Sequence, residues 1–234
     1  MLIGQILPDT VPDTGMEIAL SNASQLYSKT LGKNNHLNNG REYNYRHIGV
    51  EGNPFFGENN WNKGSVYYDN QLYEDINMKF DVHNNVLIIV YYDNKGFFVN
   101  LQLVNDKIAS FSWPGHYFVK IEADTVKNPE LSSGFYDLLY NGRINVLAKY
   151  TKSIQKNYNS TLYLQIFYKK DFFYIRNGKN VFKVARKRSI LKALPNKERE
   201  LKAYIKKHKL KFKDENLRGI QIAGVAAYYD SINE

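Results

Sequence analysis

The sequence predicts an α+β protein: a curved antiparallel β-meander or partial barrel of about ten strands, followed by two or three C-terminal helices. Three observations carry this. Residues 134–149, GFYDLLYNGRINVLAK, are two strand-like halves joined by Asn141-Gly142. Asn-Gly between apolar segments favours a hairpin, because a type I′ turn needs positive φ at both central residues. From Gly64 to Ala185, apolar runs of strand length alternate with turn-forming residues, as sequential hairpins do. After Ala185 the apolar spacing lengthens to that of helices.

The 234 residues are 43% hydrophobic, with 19 Tyr and 13 Phe. That is enough to bury a core, so disorder is not the expectation. There is no cysteine, which excludes a disulfide framework, a thiolate zinc site and a cysteine nucleophile. No run approaches the roughly 18 consecutive apolar residues of a membrane span. The opening MLIGQILPDTVPD has no basic stretch ahead of an apolar one, so it does not read as a signal peptide.

Three regions follow. Residues 1–63 are rich in Asn, Gly and Asp and read as irregular, with a short helix start at 23–27 and a strand near 43–47. Phe55, Phe56 and Trp61 are too apolar for a free tail, so this segment packs onto the body. The body, 64–185, opens with a strand at 65–68 and a turn at Asp69-Asn70. Residues 72–82 then alternate, with Ile76, Met78, Phe80 and Val82 on one face and Asn77, Lys79 and Asp81 on the other. The apolar run 86–92 fits a central strand or a buried helix, and its β-branched content and the following turn at 93–96 select strand. Strands at 97–104, 107–111 and 116–121 lead to a polar loop at 123–133 and the Asn141-Gly142 hairpin. A loop at 153–160 precedes strands at 161–168, 172–176 and 180–184, the last two joined by Asn177-Gly178.

The third region, 186–234, is helical and basic, docked on the body as part of one domain. A short helix at 189–194 stops before Pro195. Asn196 is placed to cap a helix over 197–209, with Leu201, Tyr204, Ile205 and His208 on one face. Asp214 caps a last helix carrying Leu217, Ile220, Ile222, Val225 and Tyr228. Net charge is +9, and residues 186–213 hold twelve Lys or Arg against Glu198 and Glu200. The positive charge therefore belongs to one segment and the body is near neutral.

Four stretches together, GSVYYDNQLYEDINMKFD (64–81), SFSWPGHYFVKI (110–121), GFYDLLYNGRINVLAKYTKSIQ (134–155) and KRSILKALPNKERELKAYIKKHKLKFK (187–213), resemble a family of uncharacterised secreted proteins of the Bacteroidota, usually made with an N-terminal signal peptide. The likeness is one of hairpins, turns and a lysine-rich helix, and runs from about Leu26 to the end. It implies a secreted or periplasmic location and assigns no activity, cofactor or catalytic residue.

The residues themselves show no catalytic motif. His36, His47, His83, His116 and His208 have neither HxH nor HExxH spacing, so no metal site is assigned, and no cofactor. There is no GxSxG elbow. Gly219 and Gly224 have phosphate-loop spacing, but Val225 and Ala226 stand where Lys and Ser or Thr are needed. Glu74 and Asp75, as strand neighbours, point to opposite faces. Trp113-Pro114-Gly115-His116 reads as a type II hairpin turn with Trp113 packed beside it; Trp113 and His116 are also what it could offer a ligand. The pairs Tyr67-Tyr68, Tyr91-Tyr92, Phe97-Phe98 and Phe172-Phe173 place one ring on each face of a strand. Such rings make either a covered sheet or a platform for sugars or bases.

The basic segment asks for a partner. Arg186, Lys187, Arg188, Lys202, Lys206 and Lys207 are the candidate contacts for an anionic polymer or surface, against the plainer reading of a solvated helix face. Tyr204 and Phe212 face inward, which leaves few rings to interleave with nucleic acid, so nucleic acid is not the expected partner. The first functional expectation is a non-enzymatic envelope protein that binds a protein or other ligand. The second is an envelope hydrolase with a dispersed site, and the third an anionic-polymer binder. A hollow aromatic pocket with convergent, pKa-shifted groups favours the hydrolase; a filled core with a basic patch favours binding.

Overall fold

Turn chemistry decides where the chain reverses. Asp69 and Asn70 both take positive φ, 51° and 64°, between the paired residues Tyr68 and Gln71. This is the two-residue type I′ turn that strand twist favours. Pro114 and Gly115, the latter at φ 85°, join Trp113 to His116, with glycine where a type II turn needs it. The computed structural model describes residues 37, 39–92, 97–123, 130–157 and 164–233. The elements below all lie in the unit Asn39–Glu234. The expected turn at 93–96 and helix start at 23–27 lie outside the described residues.

The strands are β1 (Arg41–Glu42), β2 (Val50–Glu51), β3 (Asn62–Tyr68), β4 (Gln71–Asp81), β5 (Val86–Tyr92), β6 (Phe98–Gln102), β7 (Ile108–Trp113), β8 (His116–Ile121), β9 (Gly134–Asn141), β10 (Ile144–Asn157), β11 (Leu164–Asn177) and β12 (Asn180–Val184). The helices are α1 (Lys187–Ala193), α2 (Glu198–Lys207) and α3 (Glu215–Ser231). The strands form one open sheet in the order β1-β6-β5-β4-β3-β7-β8-β9-β10-β11-β12, with β2 off this path on β11. All the pairings are antiparallel except β2–β11. The architecture is therefore the α+β one expected, an open sheet followed by three helices. Two meanders, β3–β6 and β7–β12, meet where β7 returns to β3. The approach is close: a Cβ on Gly64 would stand 1.9 Å from the Ser112 carbonyl oxygen.

The sheet curls strongly. Four strand spacings separate β4 from β9, on the order of 19 Å across a flat sheet, yet the Phe80 and Phe135 ring centres are 5.8 Å apart. Phe111 and Phe118 fill the space between, stacked on each other at 4.8 Å and each edge-on to Phe80 at 5.3 Å. A strap of N-terminal chain crosses the curled sheet. It pairs with β11 through Val50 and Glu51, then bonds β4 through Phe56 N to Phe80 O and Val82 N to Pro54 O. Phe55 is buried, and Phe56 packs on Phe118 and Tyr150 at 5.3 and 4.6 Å.

At the β9–β12 end the same sheet is covered by helices. Ile144, Val146 and Ala148 of β10, Phe173 and Ile175 of β11 and Val184 of β12 form one buried cluster with Ile190, Ala193, Leu201, Ile205, Ile222 and Val225. Asp214 caps α3 by accepting from Asn216 and Leu217 N–H groups. Asn196 does not cap α2: it lies in the left-handed region at φ 73° and Lys197 holds the capping position without a side-chain bond. Of the apolar residues that the last helix carries, Leu217 and Ile220 are exposed.

Several strand boundaries differ from expectation. Residues 153–157 of the expected loop and the expected break at 169–171 are strand: β10 and β11 each run 14 residues and pair from Ile144–Asn177 to Asn157–Leu164, and 158–160 lie outside the described residues. Alternation fails there because the far half of this ribbon exposes side chains on both faces, as at Ser153, Gln155 and Lys156. On β4, a bulge opposite Ser65 puts Asp75 at φ 57° and leaves both Glu74 and Asp75 exposed rather than on opposite faces.

The hairpin at 134–149 forms, with its turn one residue later than expected. Asn141 ends β9 paired with Asn145, and Gly142 and Arg143 make the bend. Asn177-Gly178 shifts the same way: Asn177 pairs with Asn180, and Gly178 at φ 59° leads the turn. At 142 the turn abuts the end of α3. Asp230 Oδ2 accepts from the Tyr140 hydroxyl at 3.0 Å and the Ile144 N–H at 3.4 Å, and Arg143 donates to the Asn233 carbonyl. A Cβ on Gly142 would lie 2.2 Å from Asp230 Oδ2. Gly142→Ala therefore displaces a carboxylate that holds two donors, and urea denaturation should show a loss of about 1–2 kcal/mol. In an Asp230→Ala background that loss should shrink but not vanish, because the same Cβ would stand 2.5 Å from the Tyr140 hydroxyl; fully additive effects would contradict the latch.

Candidate functional site

The basic residues gather where α1 meets α2. Helical period buries Ile190 and Ala193 on α1 and Leu201 and Ile205 on α2, while Tyr204 stacks on Tyr228 with ring centres 4.3 Å apart. The opposite faces carry lysines and arginines into solvent. Between them lies a cleft of about 590 Å³ lined by Lys187, Arg188, Leu191, Lys192, Glu198 and Lys202. Its single carboxylate, Glu198, is paired one helical turn on with Lys202 at 2.6 Å. Three of the six residues singled out from sequence, Lys187, Arg188 and Lys202, thus meet in one place. Arg186 instead starts α1, its backbone N–H bonded to Ser189 Oγ. Lys206 and Lys207 are exposed farther along α2 and do not line the cleft. Lys192, not singled out from sequence, lies four residues after Arg188 and was readable from that spacing.

Helix stability does not account for this placement. Lys187 and Arg188 open α1, and no acidic residue lies in its first turn, where the dipole disfavours cations.

Trp113 and His116 take structural positions. Trp113 is 8% exposed and packs on Phe111 and Phe118, so its ring belongs to the core and not to a ligand surface. His116 Nδ1 lies 2.6 Å from Asp137 Oδ2, and its ring stands edge-on to Phe56 at 4.8 Å. Asp137 is 1% exposed and also accepts from the Tyr117 N–H at 3.2 Å and the Tyr150 hydroxyl at 3.1 Å. Burial, then the Asp137 charge, holds the Tyr150 hydroxyl protonated far above the ordinary tyrosine range. It stands as a donor to the carboxylate. His47 and His83 meet edge to face at 5.2 Å against Phe167, and His36 lies outside the described residues. Among the described residues no three His, Asp or Glu side chains are placed to hold a metal ion.

A second cleft, of about 300 Å³, was not found from sequence. Tyr45, Trp61, Lys79, Asn44, Asn59 and Asn100 line it over a floor of Phe55 and Ile88. Its residues come from the strap region, β4, β5 and β6, so no local spacing announces it. The one signal was the Asn- and aromatic-rich composition of 43–61.

With the geometry in place, comparison with known proteins adds nothing: no protein-family model, curated protein or solved structure matches the chain. Among the described residues, no helix is long and apolar enough to cross a membrane.

Removing the buried carboxylate by Asp137→Ala leaves His116, the Tyr117 N–H and the Tyr150 hydroxyl without their acceptor. The expected loss is roughly 3 kcal/mol in chemical denaturation. A loss below about 1 kcal/mol would show that these donors find other partners.

Proposed function

We propose that the protein is a non-enzymatic binding protein of the envelope or cell exterior, and that it takes an anionic polymer in the cleft between α1 and α2. The observation that carries the reading is the convergence of Lys187, Arg188 and Lys192 with a Lys202–Glu198 pair on one cleft, in which Glu198 is the only carboxylate among the described residues. Cations crowded against a near-neutral body create a local positive field that draws polyanions. The filled interior of the curled sheet, packed with Phe80, Phe111, Phe118 and Phe135, favours binding over a hydrolase working inside it. The extracellular setting rests on the resemblance of the hairpins and lysine-rich helix to secreted proteins.

The test is a salt titration of binding to an anionic polysaccharide, to micelles carrying anionic headgroups and to single-stranded nucleic acid. Wild type is compared with the triple variant Lys187→Glu, Arg188→Glu, Lys202→Gln. The two Glu substitutions suit the start of a helix, so the fold should hold. Wild-type affinity for the polysaccharide should fall steeply with salt as counterions are released, and the variant should lose at least tenfold, about 1.4 kcal/mol. No binding to any of the three at low salt, or equal binding by the variant, would contradict the reading.

A further inference from the structure

The cleft between the strap and β4–β6 has a chemistry that the basic helices do not share. Two open rings form its rim, Trp61 at 38% and Tyr45 at 44% exposure. Lys79 reaches in from β4. Its ammonium lies 4.6 Å from the Trp61 ring centre and 5.0 Å from that of Phe55, and donates to Asn59 Oδ1 at 2.6 Å. Burial lowers the Lys79 ammonium below the ordinary lysine value, with no neighbouring carboxylate raising it back. Among the described residues, no Asp or Glu lines the cleft. Asn100, on β6, also lines it, and its Oδ1 is buried with no hydrogen-bond partner.

Each feature calls for a different part of one ligand. An open indole or phenol face covers the C–H side of a ring at little entropic cost. Side-chain amides both donate to and accept from hydroxyls, and the orphaned Asn100 oxygen needs an O–H or N–H donor. A desolvated ammonium with no carboxylate of its own gains most from a carboxylate on the ligand. An aliphatic ligand would leave the Asn100 oxygen without a donor and the Lys79 charge without a counter-ion. The volume is at the small end of ligand pockets, about 300–1,000 Å³.

We propose that this cleft binds an acidic sugar, a pyranose bearing a carboxylate, with its ring on Trp61, its hydroxyls on the asparagines and its carboxylate on Lys79. The site is independent of the α1–α2 cleft, and its variants share no residue with that one.

The protein carries two tryptophans, and Trp113 is buried, so Trp113→Phe makes Trp61 the sole tryptophan reporter. Galacturonate oligomers are titrated against the matching galactose oligomers, by Trp61 emission in that variant and by calorimetry in the wild type. The acidic oligomer should bind saturably and roughly tenfold or more tightly than the neutral one. Lys79→Gln should erase that preference while leaving the neutral affinity in place. Trp61→Ala should lose both oligomers by calorimetry, and the α1–α2 triple variant should bind as wild type. The proposal is overturned by the absence of saturable binding to either oligomer by natively folded protein. Equal affinity for both oligomers, or acidic binding that survives Lys79→Gln and disappears in the triple variant, would overturn it too.

Discussion

The contact between the β9–β12 end of the sheet and the three helices underlies the C-terminal half of the molecule. Ile144, Val146, Ala148, Phe173 and Ile175 offer a continuous apolar face that water would otherwise cover. Burying side chains of this size gains roughly 1.5–3 kcal/mol each. Helices as short as α1 and α2, of seven and ten residues, are marginal by themselves in water, so they persist because they dock. The cleft is a by-product of that docking. With Ile190 and Leu201 fixed inward, the period of each helix leaves Lys187, Arg188, Lys192 and Lys202 facing one another. The Asp230 carboxylate, bonded to Tyr140 and Ile144, pins the far end of α3 to the β9–β10 turn.

The other half obeys a different constraint. A sheet curled until Phe80 meets Phe135 has an interior to fill and strand edges to manage. Rings fill it, and the strap from Val50 to Phe56 crosses from β11 to β4. Crossing there, the strap leaves a small cleft beside Trp61 and Lys79. Both candidate sites are thus places where a covering element meets the sheet or its neighbour, which is where pockets tend to form.

Much of this was legible locally. Asp69-Asn70 and Pro114-Gly115 are turns because only certain residues take the required φ, and α2 is readable because Leu201 and Ile205 recur at its period. What failed was non-local. Asn141-Gly142 marked the hairpin, but its contacts with Asp230, 88 positions on, had no local signal. The polar far end of β10 read as a loop, and 169–171 of β11 as a break, because alternation marks only a strand with one buried face. The bulge at Asp75 undid an argument from strict alternation. Of the sites, Lys187, Arg188 and Lys202 came from charge clustering. Lys79 and Asn100 carried no signal, since their chemistry depends on rings and amides brought from other parts of the chain.

The central claim is that α1 and α2 are held by the sheet and so hold the cationic cleft in shape. Amide hydrogen exchange measures this directly. If the helices open only with the sheet beneath them, interior amides of α1 and α2, such as those of Ile190 and Ile205, should be protected to within about tenfold, about 1.4 kcal/mol, of Val146 and Ala148 in β10. Helix amides exchanging at nearly unprotected rates while β10 stays protected would mean that the helices are not docked, and the account of the cleft would fall with them.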